Sequence, residues 1–226
     1  MGKALFITGT GTDIGKTYVT GLIVKKLRDA GLSAGYYKAA LSGAEVGADG
    51  TLLPGDALHV AGVANLAAED THVSYIYRDA VSPHLAAQIE NRPMDFDVVE
   101  HDYRMAKERM DYLTVEGSGG IICPLRWDEE QHVILDDLVL RLGLSALVVA
   151  DAGLGTINAA VLTAEHLKAR GIPLVGFIFN NWVGGTMEED NVRMVEALTG
   201  APVRARVPHG AENLPMAAEA LAALYR

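Results

Sequence analysis

Cysteine is almost missing from this chain. Cys123 stands alone among 226 residues, which rules out an intrachain disulfide and points to a reducing compartment. Apolar runs are short, none approaching the roughly 20 residues of a membrane span. The first residues lack the apolar segment of a secretory signal, and Phe6 breaks the myristoylation pattern that Met-Gly could open. Positive charge is scarce as well: 19 Lys and Arg stand against 29 Asp and Glu, a formal net charge of −10. A nucleic-acid surface needs clustered Lys and Arg to neutralise phosphates, so no such partner is expected. A small anion held by a local cluster is still compatible with that balance. Repeats, low-complexity tracts and linkers are also lacking. The expectation is a soluble cytoplasmic protein with no membrane partner, one domain over residues 1–226. Half of its residues are hydrophobic, enough for a sizeable core.

What is present is an alternation. Apolar runs short enough for strands fall at Ala4–Thr8, Ala34–Tyr37, Tyr112–Val115, Ala146–Ala150, Leu174–Phe179 and Val203–Val207. Most are continuously apolar, as strands covered on both faces are. Helical stretches lie between them. Lys16–Ala30 carries Val19, Ile23 and Leu27 at helical spacing and stops at Gly31. Thr156–Arg170 ends at Gly171 with Pro173 beyond, and Thr186–Leu198 ends near Gly200. Ser82-Pro83 has the form of an N-cap followed by proline at the first helical position. Strand alternating with helix predicts an α/β fold, a mostly parallel sheet with helices on both faces. Residues 43–55, with four glycines and one proline, are expected to form a mobile loop.

Behind the first strand stands GTGTDIGKT, Gly9 to Thr17. Strand, glycine-rich turn, then helix beginning at Lys-Thr is the context a phosphate-binding loop requires. Glycines let successive N–H groups turn inward toward phosphate oxygens. Lys16 would reach the terminal phosphates and the Thr17 hydroxyl would hold Mg²⁺. The common spacing leaves four residues between the first Gly and Gly-Lys; Gly9 to Gly15 leaves five.

That longer loop resembles the GTDTxVGKT stretch of the dethiobiotin synthetase family. Further segments agree in order and spacing: KAALSG at 38–43, GDAL at 55–58, SPHLAA at 82–87, VEGSGG at 115–120, AGLGTIN at 152–158 and GFIFNN at 176–181. The resemblance runs nearly end to end. It implies a P-loop NTPase fold, a homodimer, and ATP-driven carboxylation of 7,8-diaminononanoate with CO₂ or bicarbonate. One amine takes up CO₂ as a carbamate, whose oxygen attacks the γ-phosphorus. The second amine then displaces phosphate from the mixed anhydride, closing a cyclic urea. Such chemistry needs positive charge around the phosphoryl group more than a strong base.

The resemblance also assigns residues. Lys16 and Lys38 supply charge, and Thr12 faces the carbamate. Asp13, Ile14, Gly15, Thr17 and Tyr18 belong to the nucleotide-binding loop, and Ser42 contacts substrate. Thr17, Asp56 and Glu116 are the Mg²⁺ ligands, an all-oxygen set of the kind that ion prefers. Gly117, Ser118 and Gly119 let the backbone approach the nucleotide. Asn180 and Asn181 read adenine, whose donor and acceptor edge suits side-chain amides, and Pro208, His209, Gly210 and Glu212 form a second nucleotide loop. AGLGTIN, with Gly155 and Asn158, reaches across a two-fold interface to the substrate carboxylate. Read from the residues alone, Asp56 could cap a helix, Asn180-Asn181 could be a turn, and AGLGTIN a plain strand-to-helix connection.

Ala39 stands where the family has proline after the lysine, and Gly11 replaces a loop aspartate. Trp182 and Gly184-Gly185 follow where charged residues are expected. The rival class is a P-loop ATPase switch or non-catalytic nucleotide-binding protein of the partitioning or scaffold type. Its switches carry a lysine five residues before the Gly-Lys lysine, at the position of Gly11 here. A GTP switch would want Asn-Lys-x-Asp, and Asn180-Asn181-Trp182-Val183 does not supply it.

Overall fold

In the computed structural model, which describes residues 2–226, the alternation becomes a seven-stranded sheet. The chain begins β1 (Lys3–Gly9), α1 (Lys16–Asp29), β2 (Ala34–Leu41), β3 (Glu45–Val46), β4 (Leu52–Leu53) and α2 (Gly55–Ala64). It continues with β5 (Thr71–Ile76), α3 (Pro83–Ile89), α4 (Phe96–Arg109), β6 (Tyr112–Glu116), β7 (Pro124–Trp127), β8 (His132–Ile134) and α5 (Leu135–Arg141). The last third is β9 (Ala146–Asp151), α6 (Thr156–Ala169), β10 (Leu174–Trp182), α7 (Thr186–Thr199), β11 (Val203–Pro208) and α8 (Ala218–Ala222). Strand order is β11-β10-β9-β1-β6-β2-β5, and every pairing in this sheet is parallel.

β1 shows why the strands read as unbroken apolar runs. Ala4 and Phe6 enter a core with residues of α3 to α7, whereas Leu5 and Ile7 enter a second core with α1, α2 and α8. Side chains alternate across a strand, so burial on both faces demands apolar residues at both parities. Each fully buried Leu, Ile or Phe of these strands contributes about 1.5–3 kcal/mol. β5 lies at the sheet edge, where THVSYI is only partly buried, so its polar residues hid it in the sequence.

Residues 43–55 are more regular than a loop. β3 and β4 pair antiparallel, Gly47 N donates to Thr51 O at 2.8 Å, and Gly50 turns the chain at φ 84°. Asp49 Oδ1 accepts from Thr51 N at 3.0 Å, the local bond that favours aspartate in turns. At the start of α3, Pro83 sits at the first position as expected. Ser82 Oγ, however, bonds His84 Nδ1 at 3.0 Å rather than capping the backbone. β1, β6 and β2 end side by side at the carboxyl edge, where open parallel sheets bind ligands. The phosphate-loop segment, Lys38 and Glu116 all stand there.

Candidate functional site

The loop between β1 and α1 is shaped by its glycines and by Asp13, which adopts φ 59°. Gly15 sits at φ 85° immediately before α1, and a Cβ there would lie 2.2 Å from Asn180 Nδ2. Only glycine fits both the backbone and the space. Asn180, buried at the end of β10, donates through that same Nδ2 to Ile14 O at 3.0 Å. Its Oδ1 is buried without a hydrogen-bond partner among the described residues.

A cleft of about 490 Å³ opens above the loop. Thr12, Asp13, Gly15, Lys16, Thr17, Lys38, Ser42, Asp56, Glu116, Ser118 and Gly119 all line it, joined by Leu41, which the sequence did not single out. At its floor the charges meet. Lys38 Nζ donates to Asp56 Oδ2 at 2.5 Å and to Glu116 Oε1 at 2.8 Å. Thr17 Oγ1 donates to the same Glu116 oxygen at 2.8 Å, and the buried Tyr36 hydroxyl to Oε2 at 3.3 Å. Lys16 Nζ is held by Gly11 O at 2.8 Å.

Burial sets the electrostatics of this floor and pairing corrects it. The Lys16 ammonium is held below its usual pKa, first by burial and then by the neighbouring Lys38 charge. Burial pushes Lys38 the same way, but the carboxylates of Glu116 and Asp56 outweigh it and raise its pKa. For Asp56 burial pushes upward, while Lys38 and hydrogen bonds hold the carboxyl below its ordinary value. Burial, then Glu116, drives the Tyr36 phenol well up, so it stays a neutral donor. Two lysines thus face two acids and a hydroxyl, a constellation that can gather phosphate and other anionic oxygens.

Not every expected residue points into the cleft. Gly117 N is committed to Ile7 O at 2.9 Å, and a Cβ there would lie 2.7 Å from the Phe6 ring. This glycine serves the packing of β1 against β6. Ser118 Oγ donates to Ala40 O at 2.7 Å, tying the glycine turn to the Lys38 strand. Asn181, at φ 58°, spends its amide on Asp151 Oδ2 at 2.7 Å. Tyr18 does not line the cleft; its hydroxyl donates to Ala211 O, joining α1 to the segment of Pro208, His209, Gly210 and Glu212. Pro208 pairs with Trp182 across β10 and β11, two residues beyond Asn180. Gly155, left-handed at φ 93°, and Asn158 open α6. They line a separate, more apolar hollow with Leu154, Leu162 and Leu198, and one copy of the chain does not bring them to the cleft.

A parallel sheet whose first strand runs through a glycine loop into a Lys-Thr helix, with acids and lysines at that loop, defines a nucleotide-binding P-loop protein. The sequence profile of the AAA domain family matches residues 3–215. The chain is 49% identical over 205 residues to the ATP-dependent dethiobiotin synthetase BioD of Brachyspira hyodysenteriae, covering 90% of each chain. It is 50% identical over 183 residues to a Clostridium botulinum protein of the same description, covering 80% of each. The chain belongs to the dethiobiotin synthetase family. Among solved structures, a ParA family ATPase from Chlorobium tepidum TLS shares the fold, with a TM-score of 0.59 at 14% identity over 92% of this chain and 85% of that one.

Proposed function

We propose that the protein is an ATP-dependent dethiobiotin synthetase, a ligase that carboxylates 7,8-diaminononanoate with CO₂ and closes the ring to dethiobiotin, with ADP and phosphate as products. The observation that carries this reading is the convergence of Lys16, Lys38, Thr17, Asp56 and Glu116 on one cleft beside the P-loop. The amides and Lys16 of the loop bind the triphosphate. Lys38 offsets charge on the carbamate and the transferring phosphoryl, Thr12 faces the carbamate, and Ser42 orients the amines from the cleft wall. Attack of the carbamate oxygen on the γ-phosphorus releases ADP, and attack of the second amine on the carbonyl carbon releases phosphate. Asn180, with its free buried Oδ1, reads the adenine edge, and the Pro208–Glu212 segment flanks it. The backbone at Ser118 and Gly119 lines the phosphate side.

The residues present fit Mg²⁺. A cation, the Lys38 ammonium, already sits between the two carboxylates beside the Thr17 hydroxyl, and all the side-chain donors are oxygen. Thr17, Asp56 and Glu116 would hold the ion. When bound it draws charge from the phosphate oxygens.

The reading includes a cytoplasmic homodimer with a single domain in each copy. Leu154 is 91% exposed and Leu162 61%, beside the hollow of Gly155 and Asn158. An apolar face next to a helix start suits a second copy, whose diamine carboxylate the α6 amides would receive. Nucleic acid is not expected as a partner on a chain of net charge −10, and no helix among the described residues is long and apolar enough to cross a membrane.

The test is phosphate release from MgATP and bicarbonate, with and without the diamine. Release that depends on the diamine, together with formation of dethiobiotin, supports the synthetase. Release indifferent to the diamine favours a switch ATPase.

A further inference from the structure

Asp151 ends β9 and sits four residues before Gly155. Both of its carboxylate oxygens are engaged: Oδ1 accepts from Gly153 N at 2.8 Å, and Oδ2 from Asn181 Nδ2 at 2.7 Å. Ala152 N donates to Asn180 O at 2.8 Å. From the other side the buried Asn191 of α7 donates to Ala152 O at 2.9 Å and Gly153 O at 3.1 Å. The turn that starts α6 is therefore held between the tip of β10 and α7. Asn180, the residue before Asn181, in turn grips Ile14 O of the phosphate loop.

A carboxylate here is electrostatically adverse if the start of α6 receives an anion, because like charges repel and the helix start favours negative ligands. Its use must be geometric. A charged acceptor that takes two donors fixes a turn better than a neutral one, and Asn181 can present its amide because asparagine tolerates the left-handed region.

We propose that Asp151 and Asn181 are positioning residues, a clamp that sets the α6 turn against the strand carrying Asn180, so that the site for the diamine carboxylate has a fixed geometry. The inference rests on the reading that Gly155 and Asn158 meet that carboxylate. Neither clamp residue touches the reacting atoms.

The test compares Asp151→Ala, Asn181→Asp and the swap Asp151→Asn with Asn181→Asp. The first deletes the acceptor, and the second sets two carboxylates face to face. In the swap the amide and carboxylate exchange places, and Gly153 N keeps an oxygen to donate to. Both single variants should raise KM for the diamine about tenfold, about 1.4 kcal/mol. In Asp151→Ala, affinity for MgATP without diamine, measured by calorimetry, should stay within about twofold, and the swap should recover KM to within about threefold. Charge alone acts in the opposite direction, since deleting a carboxylate near an anion site lowers that KM. A KM unchanged or lowered in Asp151→Ala overturns the clamp. So does a swap as impaired as the singles, or a loss of nucleotide affinity equal to the rise in KM. Wild-type protein inert to the diamine would instead overturn the synthetase reading, and the clamp with it.

Discussion

Replacing Lys38 by methionine tests the floor of the cleft directly. The Lys38 side chain is 5% exposed and Glu116 0%, with 2.8 Å between the charged atoms and Asp56 closing the triad at 2.5 Å. Methionine matches the stem but removes the ammonium, leaving a buried carboxylate with only hydroxyl donors from Thr17 and Tyr36. Removing one partner of a buried pair costs about 3–5 kcal/mol. Asp56 is partly exposed and recovers water, so the lower end applies, about 3 kcal/mol or roughly 6–12 °C in melting temperature for a chain of this size.

The same geometry makes Mg²⁺ the natural replacement. In the variant the ion would find the carboxylates free, whereas in the wild type it must displace an ammonium. Mg²⁺ at about ten times its dissociation constant adds about 1.4 kcal/mol. Urea unfolding of both proteins with and without MgCl₂, no nucleotide present, gives the comparison. The expected result is a lower midpoint with unchanged slope for Lys38→Met, partly restored by Mg²⁺ in the variant alone. The pH sign is fixed too. Asp56 is held below its usual pKa, so its contribution is present above about pH 4 and lost as pH falls through the lowered value. Lys38 is held above its own, so its contribution is present below about pH 10.4 and lost as pH rises through the raised value. The stability gap between wild type and variant should be flat across neutral pH. A gap below about 1 kcal/mol, or equal Mg²⁺ stabilisation of both proteins, refutes the buried triad as described.

Asp56→Asn and Glu116→Gln should each raise the Mg²⁺ concentration needed for half-maximal turnover at least about tenfold, with the circular dichroism spectrum unchanged; an unshifted requirement in both excludes these acids as its ligands. Gly15→Ala forces a side chain onto the Asn180 amide at φ 85° and should weaken MgADP binding about tenfold or more by calorimetry, whereas near-normal binding would mean that the loop relaxes freely. Mixing Lys16→Ala with a variant damaged at Asn158 should restore at most about a quarter of wild-type turnover, since half the dimers are hybrid and each has one intact site of two. Silence of the mixture despite confirmed subunit exchange rules out a shared site.

The buried strands were legible because burial on both faces leaves no freedom of composition: β1, β6 and β9 carry apolar residues at both parities. β5 and the β3–β4 hairpin were not, since an edge strand and a two-residue ladder are held by backbone bonds that leave little mark on composition. The cleft was legible to the extent that its residues follow strand ends. Lys38 and Glu116 are register partners on β2 and β6; each was expected at the carboxyl edge of the sheet, but neither their ion pair nor its closure by Asp56 from α2 could be read from the sequence.

Direction is the part that composition withholds. Asn180 and Asn181 are chemically identical neighbours at the end of one strand, yet one turns its amide to the phosphate loop and the other to Asp151. The split follows from the pleat and from the left-handed step at Asn181, because successive side chains of a strand leave on opposite sides. Gly117 and Gly119 divide in the same way: the first is required by Phe6 and Leu135 packing beneath it, the second by its own φ of 63° beside Thr12. A glycine in a motif therefore has two distinct physical causes, lack of room and backbone sign. Substituting alanine at 117 should damage the β1–β6 core, whereas at 119 it should strain the turn that lines the cleft.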